Sequence, residues 1–249
     1  MKKQKIIWTR SLSDFDKDIK LLKCLPVDWL HIPCIQKQTL ELSGTKLNKL
    51  SQIDEPCFII FTSMEAVKQA WKLDSLKKLM QQNINVSFAP KTILFLKNLN
   101  LETFFFKDCT SAKEMYKKIL KQIDKKTLLI LPGPQKRAFN LDHNLKQNGY
   151  QTLRLDLYKT IKKAHNNLGE VLTKKDFAEI KKNELIFFAS PSAVIGFIKS
   201  LKGFLNFKNN TLTAFCIGSS TKDEAQKYFL KLKVLKNTSL EALKEALTS

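Results

Sequence analysis

Short, wholly apolar runs alternate with amphipathic stretches along most of this chain. Cys57–Phe61 and Leu128–Leu131 are too short and too evenly apolar for amphipathic helices, and they read as buried strands of a parallel sheet. Ile6–Thr9 reads as a first strand, Asp14–Leu25 has helical periodicity, and Trp29–Ile35 is a second strand interrupted at Pro33. Strand, helix, strand is the opening of a parallel α/β sheet. Gln36–Leu42 alternates without a core-like run and reads as an extended connector. There follow a strand at Cys57–Phe61, a helix from about Met64, a strand at Val86–Phe88 and a helix at Lys91–Leu99. A strand at Phe104–Phe106 and a helix at Ala112–Ile123 lead to the strand at Leu128–Leu131, which ends in Pro132-Gly133-Pro134. A helix is expected to carry Arg137 to about Gln147, with Gly149 as its stop. Thr152–Thr160 alternates as one long strand, the return connector. From about Ala164 the strand-helix pattern resumes and closes with a helix over Leu240–Leu247.

The pattern implies two α/β lobes. Residues 37–163 form a continuous lobe that includes the connectors, and residues 1–36 with 164–249 form a discontinuous one. Two chain crossings of this kind make a hinge.

One motif occurs in both lobes. Phe61, Ser63, Ala66 and Val67 recur as Phe188, Ser190, Ala193 and Val194, and FAPKT (88–92) is matched by IGSST (217–221) at nearly the same offset. In each copy a hydroxyl residue follows an apolar strand and precedes a helical pattern, where an N-cap belongs. Unpaired N–H groups and the positive end of the helix dipole make such a position an anion site. Ser219, Ser220 and Thr221 follow Phe215–Ile217 in the same way, and Gly218 leaves the backbone open to close approach. Capping alone explains any one of these serines. Their repetition in both halves points to a ligand held by two matching lobes.

Composition narrows the classes. A 43% hydrophobic chain of 249 residues can build real cores. The five cysteines (Cys24, Cys34, Cys57, Cys109, Cys216) are scattered without metal-ligand spacing and read as buried thiols in a reducing compartment. The N-terminus MKKQKIIWTR has no apolar signal region, and the longest uncharged stretch, Leu185–Ile198, is short of the ~20 residues that span a bilayer. A cytoplasmic protein without a membrane partner is expected. A net charge of +20 favours an anionic partner, although an even spread of lysine also fits biased composition. Only Arg10, Arg137 and Arg154 are arginines, which counts against nucleic acid. No glycine-rich nucleotide fingerprint and no metal spacing appears, so neither cofactor nor metal is expected.

Taken in order, the motifs resemble the uroporphyrinogen-III synthase family over essentially the whole chain. They are Thr9-Arg10, His31-Ile-Pro33, Phe61-Thr-Ser63 with Ala66-Val67, Thr92, Gly133 with Arg137 and Leu141, Tyr158-Lys-Thr160, Phe188-Ala-Ser190-Pro191-Ser192, and Gly218-Ser-Ser220-Thr221. The resemblance implies two Rossmann-like, flavodoxin-like lobes joined by a two-stranded linker. It implies cyclisation of the linear tetrapyrrole hydroxymethylbilane with inversion of its last ring, in heme biosynthesis, by a monomeric lyase. The preceding enzyme of the pathway is a possible transient partner. Every pyrrole of that substrate carries carboxylates, and Ser63, Thr92, Ser190, Ser192, Gly218, Ser220 and Thr221 would meet them, with Arg10 and Arg137 as bidentate candidates. Loss of the terminal hydroxyl needs a proton, and Tyr158 is the candidate donor. Three departures from the family pattern stand out. Ala89 occupies a position where glycine is common, Glu65 adjoins Ser63, and Lys227–Val234 lacks a glycine. A non-catalytic two-lobed anion binder of the same fold is the alternative. His31, His143 and His165 show no triad or metal spacing and are expected in core or at the surface.

Overall fold

The computed structural model describes residues 4–11, 14, 15, 18, 20, 27–165, 170, 172–181, 185–201, 212–235, 242, 243 and 245. The chain divides into two compact units, residues 1–36 with 161–249 and residues 37–160.

In the discontinuous unit, strands β1 (Gln4–Trp8), β2 (Val27–His31), β9 (Leu185–Phe188), β10 (Thr213–Cys216) and β11 (Lys231–Val234) form one sheet. Its order is β11-β10-β9-β1-β2, and every neighbouring pair is parallel. Alternation along the strands explains the uninterrupted apolar runs. Ile7, Ile186, Phe188, Ala214 and Cys216 pack into one core, while Ile6, Trp8, Leu185, Phe187 and Phe215 pack into another. Both faces are covered, so the central strands leave little room for a polar residue. Trp8 is fully buried; its ring stacks on Phe187 with centroids 4.2 Å apart and meets Trp29 edge-on at 5.3 Å. Full burial of side chains this size contributes about 1.5–3 kcal/mol each. Helix α7 (Lys174–Lys181) precedes β9, α8 (Pro191–Leu201) follows it, and α9 (Ser219–Ala225) follows β10.

The second sheet runs β3-β8-β7-β4-β5-β6. Its strands are β3 (Ile35–Thr39), β4 (Cys57–Phe61), β5 (Ile84–Ser87), β6 (Thr103–Phe105), β7 (Leu128–Pro134) and β8 (Thr152–Lys162). From β8 to β6 all neighbours are parallel. Two cores again flank the sheet, one with Ile59, Phe61, Ile130 and Leu155, the other with Ile60, Val86, Leu129 and Leu131. The helices of this unit are α1 (Gly44–Ser51), α2 (Met64–Ala70), α3 (Asp74–Gln82), α4 (Pro90–Asn98), α5 (Ala112–Gln122) and α6 (Leu141–Gln147). Trp71 caps α2, and the Lys77 ammonium lies 5.0 Å from its ring.

The structure corrects several element boundaries. The strand expected at Trp29–Ile35 ends at His31, and after Pro33 a separate strand, β3, takes the place of the plain connector. The helix expected to carry Arg137 begins only at Leu141, because Asn140 is its N-cap and its side chain accepts from the His143 N–H. The stop at Gly149 is as read: its φ of 84° suits a residue without a Cβ. Of the helix read at Asp14–Leu25, residues 14, 15, 18 and 20 are helical, as are 242, 243 and 245 of the one at Leu240–Leu247. The other residues of both lie outside the described set.

The two linking segments are anchored on α8. A Cβ on Gly196 would lie 2.0 Å from the Cys34 carbonyl oxygen and 3.2 Å from the Lys163 nitrogen. One turn on, Ser200 Oγ accepts from the Ala164 N–H at 2.7 Å and donates to the Gly196 carbonyl at 3.0 Å. The His165 N–H donates to the Pro33 carbonyl at 3.0 Å. Cys34, Cys57, Cys109 and Cys216 are buried free thiols, and burial pushes Cys57 and Cys216 up to about 11. Cys24 lies outside the described residues. Among the described residues no helix is long and apolar enough to cross a membrane.

Candidate functional site

In the continuous unit the candidate residues gather at the carboxyl ends of parallel strands, the edge where open α/β sheets bind ligands. Ser63 follows β4 and caps α2. Its Oγ accepts from the Ala66 N–H at 3.2 Å. The same Oγ lies 3.1 Å from the Tyr158 hydroxyl of β8, a pairing that spans 95 residues of sequence. Tyr158 is buried, 4% exposed. Burial raises its phenol above the ordinary tyrosine range; the Ser63 hydrogen bond and Arg137 pull the other way, while Glu65 adds to the rise.

Glu65 is not an unmatched negative charge. Its Oε2 is 3.4 Å from the Lys37 ammonium, and its Oε1 accepts from Gln69 Nε2 at 2.8 Å. Gln69 Oε1 in turn accepts from Thr39 Oγ1 at 2.9 Å. Lys37 also lies 5.7 Å from the Tyr158 ring centre. Lys37, Thr39 and Gln69 were not singled out by the sequence reading. The available signal was spacing: residues two apart on a strand and four apart on a helix each share a face.

Thr92 lies in the first turn of α4 and is buried. Ala89, the residue before that helix, has φ −89° and ψ 118°, so its side chain imposes no strain. No side-chain cap is present there, and the exposed Lys91 stands in the first turn.

Arg137 has inward-facing partners. It leaves the loop after β7, with a side chain 10% exposed. Nε donates to the Pro134 carbonyl at 3.1 Å, and Nη2 donates to the carbonyls of Leu131 at 2.8 Å and Leu155 at 3.3 Å. Asp156 Oδ1 is 3.5 Å from Nη2 and also accepts from Arg154 Nε at 2.9 Å. Burial, with Arg154 nearby, lowers the Arg137 pKa against the pull of Asp156. Gly133 makes room for the guanidinium, since a Cβ there would sit 3.3 Å from Cζ and Nη2. The guanidinium thus ties β7 to β8. Arg137→Ala should lower stability by about 2 kcal/mol, because it strips a charged donor from buried carbonyls. Urea unfolding of this variant beside Lys121→Ala checks this, and equal midpoints would sink it.

The discontinuous unit repeats the helix start. Ser190 Oγ accepts from the Ala193 N–H at 3.2 Å, the counterpart of Ser63 and Ala66. Ser192 is half-buried in the first turn of α8. Gly218 heads α9 in extended conformation (φ −172°, ψ 177°), which any residue adopts, so its contribution is the missing side chain alone. Ser220 is exposed and Thr221 buried. Arg10 is committed to carboxylates: Nη1 donates to Asp18 Oδ1 at 2.9 Å, and Nη2 is 3.5 Å from Asp14 Oδ2. Asp18 also accepts from Trp8 Nε1 at 3.2 Å, and burial raises its pKa although Arg10 opposes this. His31 is buried, stacks on Phe15 and donates from Nε2 to the Arg10 carbonyl, a core role.

Among the described residues no group of three or more His, Cys, Asp or Glu side chains is placed to hold a metal ion. An open cavity of about 490 Å³ lies at the opposite, amino-terminal end of the continuous sheet. Leu50, Asp54, Glu55, Lys78 and Asn83 line it, and it shares no residue with the candidate set.

The profile of the family "Uroporphyrinogen-III synthase HemD" matches residues 19–244, most of the chain. The chain belongs to the uroporphyrinogen-III synthase family. "Porphyrin biosynthesis protein HemD" of Ruminiclostridium josui is 23% identical over 243 residues. That alignment covers 96% of this chain and 47% of the relative, so the chain spans about half the length of the curated relative it matches. The crystal structure of uroporphyrinogen-III synthetase from Helicobacter pylori 26695 superposes with TM-score 0.62 at 21% identity, covering 98% of this chain and 99% of that one. A mutant uroporphyrinogen III synthase from the extremely thermophilic bacterium Thermus thermophilus gives 0.59 at 17% identity, covering 98% and 97%. At such identities these likenesses establish the fold of a uroporphyrinogen-III synthase and no individual contact.

Proposed function

We propose that this chain catalyses the closure of hydroxymethylbilane to uroporphyrinogen III, with inversion of the last pyrrole ring and release of water. The observation that carries the reading, beside family membership, is the 3.1 Å pairing of the Tyr158 and Ser63 hydroxyls at the head of α2. A buried phenol kept protonated by its surroundings is a proton donor for the departing hydroxide. Hydroxide is the base of water, whose pKa is about 15.7, so transfer from a tyrosine remains downhill even when burial raises the phenol. Ionisation leaves an azafulvenium at the terminal methylene. Attack by the last ring through a spiro intermediate, fragmentation and reclosure complete the inversion, and the proton that the pyrrole α-carbon loses at the final closure restores the phenol.

The carboxylates of the substrate are assigned to backbone N–H groups and hydroxyls, with Ser63, the first turn of α4 at Thr92, Ser190, Ser192 and Gly218 through Thr221 as the candidates. The N–H groups and dipole at helix starts favour anions without a fixed guanidinium. Arg10 and Arg137 are reassigned from direct contacts to positioning, because their hydrogen bonds go to Asp18 and to backbone carbonyls. Folding a flexible chain into a cyclising geometry supplies much of the acceleration.

The test supplies purified protein with hydroxymethylbilane made in situ and resolves the oxidised products by isomer. A dominant type III product is expected. Only the type I isomer of spontaneous closure would leave a non-catalytic binder of this fold.

A further inference from the structure

We propose that Lys37 is a substrate-positioning residue: its ammonium, held in place by Glu65, receives a carboxylate of the tetrapyrrole beside the Tyr158–Ser63 pair. The inference rests on the synthase reading. Three observations on the continuous lobe carry it.

The first is position. Lys37 lies 5.7 Å from the ring centre of Tyr158, whose hydroxyl meets Ser63. The second is restraint. A surface lysine ordinarily samples many rotamers, yet this one is tied 3.4 Å from Glu65. Glu65 is fixed by Gln69, and Gln69 by Thr39. Lys37 and Thr39 are two apart on β3 and share a face; Glu65 and Gln69 are four apart on α2 and share another. Two strand residues and two helix residues form two rungs that hold one ammonium. The third is availability. The Lys37 side chain is 42% exposed, and an ammonium has three donors, of which the one Glu65 oxygen takes one. An exposed pair of this kind contributes only about 0–1 kcal/mol to stability, so its removal should move the melting point little. The Lys37 ammonium also sets a positive charge against the Glu65 carboxylate, which by itself would repel an anionic substrate at Ser63.

Steady-state kinetics on the full chain with hydroxymethylbilane, and melting curves, test this with Lys37→Ala, Lys37→Arg and the distant Lys121→Ala. Lys37→Ala should raise KM about tenfold, the scale of one charge-assisted hydrogen bond, with kcat within about threefold. Lys37→Arg should recover most of the affinity. Raising ionic strength should weaken wild-type KM more than that of Lys37→Ala. A KM within twofold of wild type, an equal rise in Lys121→Ala, or a melting loss that accounts for the defect would each overturn the assignment. A wild-type chain that yields only the type I isomer would overturn the synthase reading and this inference with it. Type III product with an unaltered KM in Lys37→Ala would overturn the Lys37 assignment alone.

Discussion

Tyr158→Phe is expected to lower kcat at least about tenfold, equivalent to about 1.4 kcal/mol of transition-state stabilisation. The substitution keeps the ring, which is 4% exposed and packed among Ile59, Phe61 and Leu155, and removes only the hydroxyl that faces Ser63. The stability cost should therefore stay near the ~1 kcal/mol of one hydrogen bond. A decade in kcat with a small shift in melting point identifies chemistry rather than collapse. The sign of the pH dependence follows from the raised phenol. The donor is protonated below its pKa, so wild-type kcat should hold through neutral pH and fall only above the ordinary tyrosine range. Tyr158→Phe should lack that alkaline limb. A kcat unchanged in the variant, or an alkaline limb that survives it, would remove Tyr158 from the proton-donor role.

Gly196→Ala should destabilise the discontinuous unit by about 3 kcal/mol, which for a chain of this size lowers the melting point by roughly 6–12 °C. Two effects oppose each other. In an isolated helix, alanine is better than glycine by about 1 kcal/mol. Here the new Cβ would arrive 2.0 Å from the Cys34 carbonyl oxygen and 3.2 Å from the Lys163 nitrogen. Both obstacles are backbone, and neither moves without displacing the Ala164 bond to Ser200 or the His165 bond to Pro33. The steric term exceeds the propensity term, so the net sign is negative. Thermal unfolding of Gly196→Ala beside wild type measures this; equal or higher stability would show that the linking segments yield easily.

The central strands β4, β7 and β9 were legible because their sheets are covered on both faces, which leaves the apolar runs Cys57–Phe61, Leu128–Leu131 and Leu185–Phe188 without a polar interruption. The repeated helix starts were legible for the same reason, since each follows such a run. The Ser63 and Ser190 caps carry the same chemistry at the same 3.2 Å. The break between α2 and α3 was not legible, because Trp71-Lys72-Leu73 carries no glycine or proline. The late start of α6 was signalled only by Asn140, one polar residue among several. The roles of Arg10 and Arg137 were hidden for a different reason. A sequence shows that a guanidinium follows a strand, but whether it faces outward depends on carbonyls contributed from elsewhere, such as Leu155 for Arg137. Likewise the counter-charge of Glu65 comes from Lys37, 28 residues away in sequence.

The placement of the indoles gives each half of the molecule its own optical signal. The chain has three tryptophans. Trp8 and Trp29 belong to the discontinuous unit, where Trp8 is shielded from water and stacked on Phe187; Trp71 belongs to the continuous unit and lies near the Lys77 ammonium. Emission from a Trp71→Phe variant therefore reports on one lobe, and emission from a Trp8→Phe, Trp29→Phe double variant on the other. Without any attached dye, the two can be followed through denaturant to learn whether they melt together or in turn.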